Sequence, residues 1–182
     1  MRTWIAATLL ALGVTASASA TDHNKQIDYN GEFSGSVVSS EIDSNGDGLR
    51  AVLFLVVGKT NLGRTDVQTL LEFAPTGPGT CPNGKPGLLL TAIHGDGVIR
   101  FEQRGGDLLL VKAGAATACA DPSSGQQFVT ARLDFVGGTG RFQQAGGSID
   151  VTSVTQGLFQ DATARFFGAS SGQFEGLIIR KF

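Results

Sequence analysis

Glycine-marked turns recur along the whole chain and divide it into short apolar runs. The sequence has 26 glycines, and many stand in pairs such as Asn45-Gly46 and Gly105-Gly106, which are typical of tight turns. The runs between them are rich in Val, Ile, Phe and Thr, which favour strands. Beyond residue 20, no segment repeats its apolar residues with a helical period. The pattern therefore predicts an all-β protein, with strands at residues 33–40, 49–57, 65–73, 88–94, 98–103, 108–111, 127–136, 148–155, 162–168 and 173–180.

Charged residues alternate with apolar residues in two of these runs. Val129, Ala131, Leu133 and Phe135 share one predicted face, and Arg132 and Asp134 lie on the other. Arg100 and Glu102 alternate with Ile99 and Phe101 in the same way. These four charged side chains could contact a ligand in a polar barrel interior. Since charged strand residues usually face water, we expect them on the outside.

The first and last strands carry a matching pattern. Gly31-Glu32-Phe33-Ser34-Gly35 is echoed by Gly172-Gln173-Phe174-Glu175-Gly176, and apolar residues follow both segments. Many short strands joined by tight turns form either a sandwich or a barrel. Pairing between matched first and last strands would close the sheet and remove its edges, which favours the barrel.

The N-terminus has the features of an export signal. Arg2 precedes an apolar stretch that is too short to span a bilayer, and Ala18-Ser19-Ala20 is a typical cleavage site. We therefore expect residues 1–20 to be a signal peptide and residues 21–182 to form one domain. The protein is predicted to be exported, to the periplasm or the extracellular space.

Two cysteines, Cys81 and Cys119, follow the predicted signal. In an oxidising compartment such a pair usually forms a disulfide. Residues 74–87 contain four of the five prolines, so they are predicted to form a long loop rather than a strand. The disulfide would tie this loop to a second loop at residues 118–125.

The charge balance restricts the possible partners. The formal net charge is −2, and without a basic surplus nucleic acid is an unsuitable partner. Insertion into an outer membrane is also not expected. Its aromatic girdles would have to consist of phenylalanine, because the chain has one Tyr and its one Trp lies in the predicted signal.

The segment Asp43-Ser44-Asn45-Gly46-Asp47-Gly48 opens like a calcium-binding loop. Oxygen ligands at alternate positions and a turn glycine suit a hard cation. The twelfth position of such a loop requires a bidentate Glu, but here it is Phe54. Asp43, Asn45 and Asp47 are thus candidate calcium ligands, and a hairpin of Asx and glycine turns is the alternative. No other cofactor is predicted.

No catalytic constellation emerges from the sequence. Ser170 lies in a G-x-S-x-G segment, but both histidines precede it and no helix is predicted after it, contrary to a nucleophile elbow. His94 is close to Asp96 and could act as an acid or base, although one residue makes no site. Catalysis is therefore left open and is not favoured.

The segment Phe135-Val136-Gly137-Gly138-Thr139-Gly140-Arg141-Phe142, followed by Ala145-Gly146-Gly147-Ser148, resembles a signature of allene oxide cyclase-like and dirigent-like proteins. Exported bacterial proteins of unassigned function are similar to them. The resemblance implies an eight-stranded antiparallel barrel of calycin type, sometimes oligomeric, with a cavity for an apolar or phenolic ligand. It transfers no catalytic residue to this chain. Arg141 could contact a ligand or form a salt bridge.

The sequence is compatible with three functions. The first is an exported barrel that binds a small apolar molecule without turnover. The second is a cyclase or isomerase that uses the same cavity. The third is a structural or interaction protein with a filled barrel, whose disulfide-tied loop meets a partner. Because a barrel of eight strands can be filled or hollow, strand number does not decide between them.

Overall fold

The computed structural model describes residues 24–43, 46–160 and 165–180. Eight antiparallel strands form a closed barrel in which each strand pairs with the next along the chain and the last pairs with the first. This confirms the all-β class and the eight-stranded barrel. The strands are β1 (Lys25–Ser39), β2 (Ala51–Thr60), β3 (Gly63–Thr80), β4 (Pro86–Phe101), β5 (Leu108–Asp121), β6 (Gln126–Gly138), β7 (Gly146–Gln160) and β8 (Phe166–Arg180).

Helix in the described residues is limited to two short 3-10 turns, Glu102–Arg104 and Gly140–Phe142. In the same part of the chain, no helix has the length and apolar character needed to cross a membrane. The predicted signal peptide, residues 1–20, lies outside the described residues. Signal cleavage and the domain boundary at residue 21 therefore stay predictions.

The prediction of ten strands was wrong, because glycines were interpreted as turns where the chain continues. Residues 88–94 and 98–103 belong largely to the single strand β4, and the predicted strands 162–168 and 173–180 contribute to β8. Gly95 and Gly97 lie inside β4, where a Cβ on Gly97 would be 2.6 Å from the Gln68 carbonyl oxygen. Here glycine permits close approach of neighbouring strands rather than a change of direction.

The predicted proline loop at residues 74–87 was also wrong. Strand β3 continues to Thr80, and only residues 81–85 form the connection to β4. The prolines are tolerated because the β3–β4 register is irregular between Glu72 and Phe73 and between Pro75 and Gly77. The second predicted loop shrinks to residues 122–125, since β5 extends to Asp121.

The matching patterns at the two ends of the chain meet where the barrel closes. In the β1–β8 register, Phe33 pairs with Gly172 and Gly31 pairs with Phe174. A Cβ on Gly172 would lie 2.7 Å from the Phe33 ring. Each phenylalanine thus has glycine as its cross-strand neighbour, and this explains why the Gly-x-Phe pattern appears twice.

Apolar side chains fill the interior, as the alternation in β6 predicted. Val129, Ala131, Leu133 and Phe135 are buried, and Arg132 between them is exposed. One end of the barrel, here called the closed end, is plugged by Phe142 from the glycine-rich motif, which packs on Phe101 with 4.8 Å between ring centroids. The opposite end, where β1 leads to β2, β3 to β4, β5 to β6 and β7 to β8, is called the open end.

Candidate functional site

The barrel interior holds a cavity of only about 60 Å³. Its walls are apolar side chains such as Phe33, Phe54 and Leu133, and the polar groups in its lining are the hydroxyls of Tyr29, Thr69 and Ser153. A cavity that admits benzene measures about 150 Å³. The interior is therefore mostly filled by the protein's own side chains.

Tyr29 is fully buried in this interior. Its hydroxyl donates a hydrogen bond to Thr65 Oγ1 at 3.4 Å, and its ring lies 4.8 Å from that of Phe174. Burial raises the pKa of the Tyr29 phenol well above its ordinary value, since the charged phenolate would lose its hydration. Tyr29 thus stays neutral at physiological pH and is unsuited to act as a base.

A much larger cavity of about 820 Å³ lies at the open end, and we call it the mouth. Its apolar lining includes Val52, Phe73, Leu88, Leu90 and Phe166. Ligand pockets typically measure about 300–1,000 Å³ and combine an apolar lining with a few polar groups. The mouth has those dimensions and that lining. Its polar lining residues are Ser39, Arg50, Asp121, Gln126, Gln127 and Arg165.

One wall of the mouth is covalently fixed. Cys81, just after β3, and Cys119 in β5 form a disulfide with their Cα atoms 5.4 Å apart, as the sequence predicted. A Cβ on Gly87 would collide with the Cys81 sulfur and the Ala120 carbonyl oxygen. The β3–β4 connection is therefore held tightly against β5.

Asp121 reinforces the same wall from the turn that follows β5. Its carboxylate accepts hydrogen bonds from the Ser123 hydroxyl at 2.6 Å, the Ser124 hydroxyl at 2.6 Å and the Asn83 side-chain amide at 2.8 Å. The two serine bonds are the main reason that the pKa of Asp121 lies well below its usual range. Asp121 is 1% exposed, and its hydrogen bonds tie the β3–β4 connection to the turn after β5.

Two of the candidate calcium residues, Asp43 and Asp47, are exposed in the connection between β1 and β2. Asp43 Oδ1 accepts a hydrogen bond from the Gly46 amide at 2.6 Å, and Oδ2 accepts one from the Gly48 amide at 2.9 Å, as an Asx-type turn requires. Asn45 lies outside the described residues.

The structure adds a third carboxylate that sequence reasoning missed. Glu72 of β3 is 1% exposed, and one of its carboxylate oxygens lies within 4.8 Å of carboxylate oxygens of Asp43 and Asp47. In the sequence, Glu72 stands out as a single acidic residue between the apolar residues Leu71 and Phe73. Three converging carboxylates could supply part of a calcium shell. Calcium binding itself stays a prediction.

The calcium prediction can be tested on thermal stability. If the site binds, calcium at about one hundred times its dissociation constant should stabilise the fold by about 2.7 kcal/mol, which calorimetry would record as a higher Tm. Glu72→Gln should remove most of this gain, whereas Asp150→Asn, an exposed site on β7, should leave it unchanged. An unchanged Tm in the parent protein, or an equal gain in Glu72→Gln, would contradict the prediction.

The predicted ligand contacts Arg100, Glu102, Arg132 and Asp134 lie on the outer surface, and none lines the interior cavity or the mouth. Arg132 Nε is 3.6 Å from Asp134 Oδ1, and Glu102 pairs with Arg64 at 3.1 Å. Their orientation toward water agrees with the alternation. Their contact with a ligand stays a prediction.

Arg141 lies at the closed end, and its side chain is 20% exposed. Its Nε is 3.2 Å from Asp107 Oδ2, and its guanidinium lies 5.0 Å from the centroid of the Phe142 ring. The expected salt bridge of Arg141 is thus present. His94 and Asp96 also pair, at 2.7 Å, on the outer surface and away from both cavities.

Comparison with known proteins yields similarity in structure only. No family model matches the chain, and no curated protein matches it. The pterocarpan synthase dirigent protein PsPTS1 is similar with a TM-score of 0.44 and 14% identity over 87% of this chain and 97% of that chain. The pterocarpan synthase dirigent protein GePTS1 is similar with a TM-score of 0.28 and 15% identity, over 94% of this chain and 100% of that one.

Both proteins are named as dirigent proteins. At these TM-scores and identities, neither similarity transfers a fold, a residue role or a function to this chain. The fold and the cavities define this chain as an eight-stranded antiparallel barrel with a filled interior, a closed end and an accessible mouth.

Proposed function

We propose that this protein is an exported barrel that binds a small apolar molecule in its mouth, without turnover. The observation that carries the proposal is a mouth of about 820 Å³. Phe73, Leu90 and Phe166 line it, so an apolar ligand would exchange water for aromatic and aliphatic contacts. The ligand would lie above the filled interior, in contrast to the central cavity that the family resemblance implies.

Binding without chemistry is supported by the described groups that surround both cavities. Among them, the interior lining contains no carboxylate, imidazole, amine or guanidinium, and Tyr29 is held neutral by burial. In the mouth, Asp121 is engaged by two turn serines, and Arg50 pairs with Glu41 at 2.8 Å. A cyclase or isomerase would need a poised acid or base beside its substrate, and the described residues of neither lining offer one.

Export is supported by the disulfide, since such bonds persist in oxidising compartments. The filled interior also suits the third function, in which the barrel is a scaffold for a protein partner. In that case the partner would meet the fixed wall formed by residues 81–85 and 122–125. The binding function requires the mouth to accept a small apolar molecule, and the scaffold function does not.

A matched pair of substitutions on β4 tests the binding function. Leu88 lines the mouth. The next residue, Leu89, lies outside this lining, where a Cβ on Gly79 would meet its side chain. Both side chains are partly exposed, so neither Leu88→Asp nor Leu89→Asp should prevent folding. The probe is N-phenylnaphthylamine, an uncharged fluorophore that brightens in apolar surroundings.

We expect the parent protein and Leu89→Asp to bind the probe with the same affinity. Leu88→Asp should bind at least about tenfold more weakly, because an apolar ligand would cover the exposed part of Leu88, whereas an aspartate there would lose its hydration. Titration fluorescence and calorimetry would give the dissociation constants. Failure of the parent protein to bind any of a panel of apolar probes would overturn the binding function and favour the scaffold.

A further inference from the structure

The outer surface of the barrel carries an exposed apolar face across four strands. Leu55 and Val57 of β2 and Leu110 of β5 are 40%, 36% and 42% exposed. Between the two strands runs a shallow groove of about 360 Å³, whose apolar lining includes Leu55, Val57, Val98 and Leu108. We call this surface the β2–β5 face. Exposed apolar residues that border a groove with polar residues between them are typical of interaction sites.

Two rows of cross-strand neighbours make up the β2–β5 face. In the first row, Val57 pairs with Asp66, Asp66 with Arg100, and Arg100 with Leu108. The order across the strands is therefore apolar, acidic, basic, apolar. In the second row, Leu55 is followed by Gln68, Val98 and Leu110, so leucines stand at both ends of that row.

Asp66 and Arg100 differ from the neighbouring charges on the barrel. Arg64 and Glu102, close to them on the same surface, form an ion pair at 3.1 Å, and His94 pairs with Asp96 at 2.7 Å. Asp66 and Arg100 form no ion pair with any residue in the described ranges, although they are direct cross-strand neighbours. A carboxylate and a guanidinium are thus available in the middle of an apolar groove.

We propose that the β2–β5 face binds a second copy of this chain in a two-fold symmetric dimer. The symmetry axis would run along the strands between β3 and β4. A rotation by 180° about this axis brings Asp66 of one copy opposite Arg100 of the other. The same rotation brings Val57 opposite Leu108. The second row then places Leu55 on Leu110.

A second copy fits better than an unrelated partner because the first row is its own complement and the second row has leucines at both ends. In a two-fold interface, residue i contacts residue j and residue j contacts residue i. The row of apolar, acidic, basic and apolar residues satisfies this condition without any change in register. Apolar groups would form the interface, and two equivalent ion pairs would fix its register.

Charge reversal tests the dimer, because its two ion pairs are reciprocal. Asp66→Arg would set a second arginine against Arg100 of the other copy, and Arg100→Asp would set two aspartates together. Each variant alone should weaken the dimer at least about tenfold in sedimentation equilibrium. Glu175→Arg, a reversal at an exposed position on β8, should leave the dimer unchanged.

Mixing the two variants supplies the sharpest outcome. A heterodimer of Asp66→Arg with Arg100→Asp restores opposite charges at both pairs, so the mixture should dimerise with nearly the parent affinity. A parent protein that stays monomeric to millimolar concentration would overturn the proposal, and so would a mixture that gives no rescue. If a charge variant fails to fold, Leu110→Arg gives the same test, and an unweakened dimer there would also overturn it.

Discussion

Phe142→Ala is expected to destabilise the barrel by about 3–5 kcal/mol, the usual cost of removing a buried phenylalanine. Phe142 is 2% exposed and packs against Phe101 at the closed end. It also supports the guanidinium of Arg141. Removing the ring would leave a cavity where the glycine-rich motif plugs the barrel, and Tm should fall by roughly 10 °C.

The neighbouring residue provides the control for this experiment. Gln143 is exposed, so Gln143→Ala should change the free energy of unfolding by no more than about 0.5 kcal/mol. Urea denaturation of both variants gives the comparison. A loss below about 1 kcal/mol in Phe142→Ala would mean that the motif serves something other than the core.

Removing the disulfide should have a similarly large effect. Cys81 and Cys119 are separated by 38 residues, and closing a loop of that length stabilises the folded state by about 4 kcal/mol in the chain-entropy model. We expect the double variant Cys81→Ser/Cys119→Ser to unfold at correspondingly lower denaturant. Because the bond fixes one wall of the mouth, the affinity for N-phenylnaphthylamine should fall as well.

Chemical reduction separates the loss of the bond from the effect of the substitution. Dithiothreitol should lower the stability of the parent protein toward that of the double variant, and should leave the double variant itself unchanged. Equal stability of the oxidised and reduced parent protein would contradict the predicted contribution of the disulfide.

The features that the sequence predicted correctly depend on short-range patterns. Alternation along β6 placed Val129 and Leu133 inside and Arg132 outside, because successive strand residues point to opposite faces. The repeated Gly-x-Phe segments predicted the pairing of the first and last strands. The pattern follows from packing, because Gly172 has no side chain and leaves room for the Phe33 ring.

The features that the sequence did not predict depend on which residues are neighbours across the sheet. Gly97 and Gly46 are indistinguishable in sequence, yet Gly97 lies against the backbone of β3 within a continuous strand, and Gly46 takes a positive φ of 77° in a turn. Pro75 and Pro78 predicted a loop, but an irregular register lets β3 accommodate them. Cross-strand distances of this kind have no short-range signature.

Short-range patterns in the sequence predict the all-β class, the alternation that fills the interior, the closure of the barrel and the cysteine pair. These follow from periodicity and from complementary residue sizes, which are properties of neighbouring or matched segments. The volumes of the two cavities, about 60 Å³ in the interior and about 820 Å³ in the mouth, depend on the tertiary structure. The tertiary structure also brought Glu72 to the Asp43 connection and aligned Asp66 with Arg100. Cavity size and side-chain convergence depend on register and strand tilt around the closed barrel, which are set when all eight strands pair.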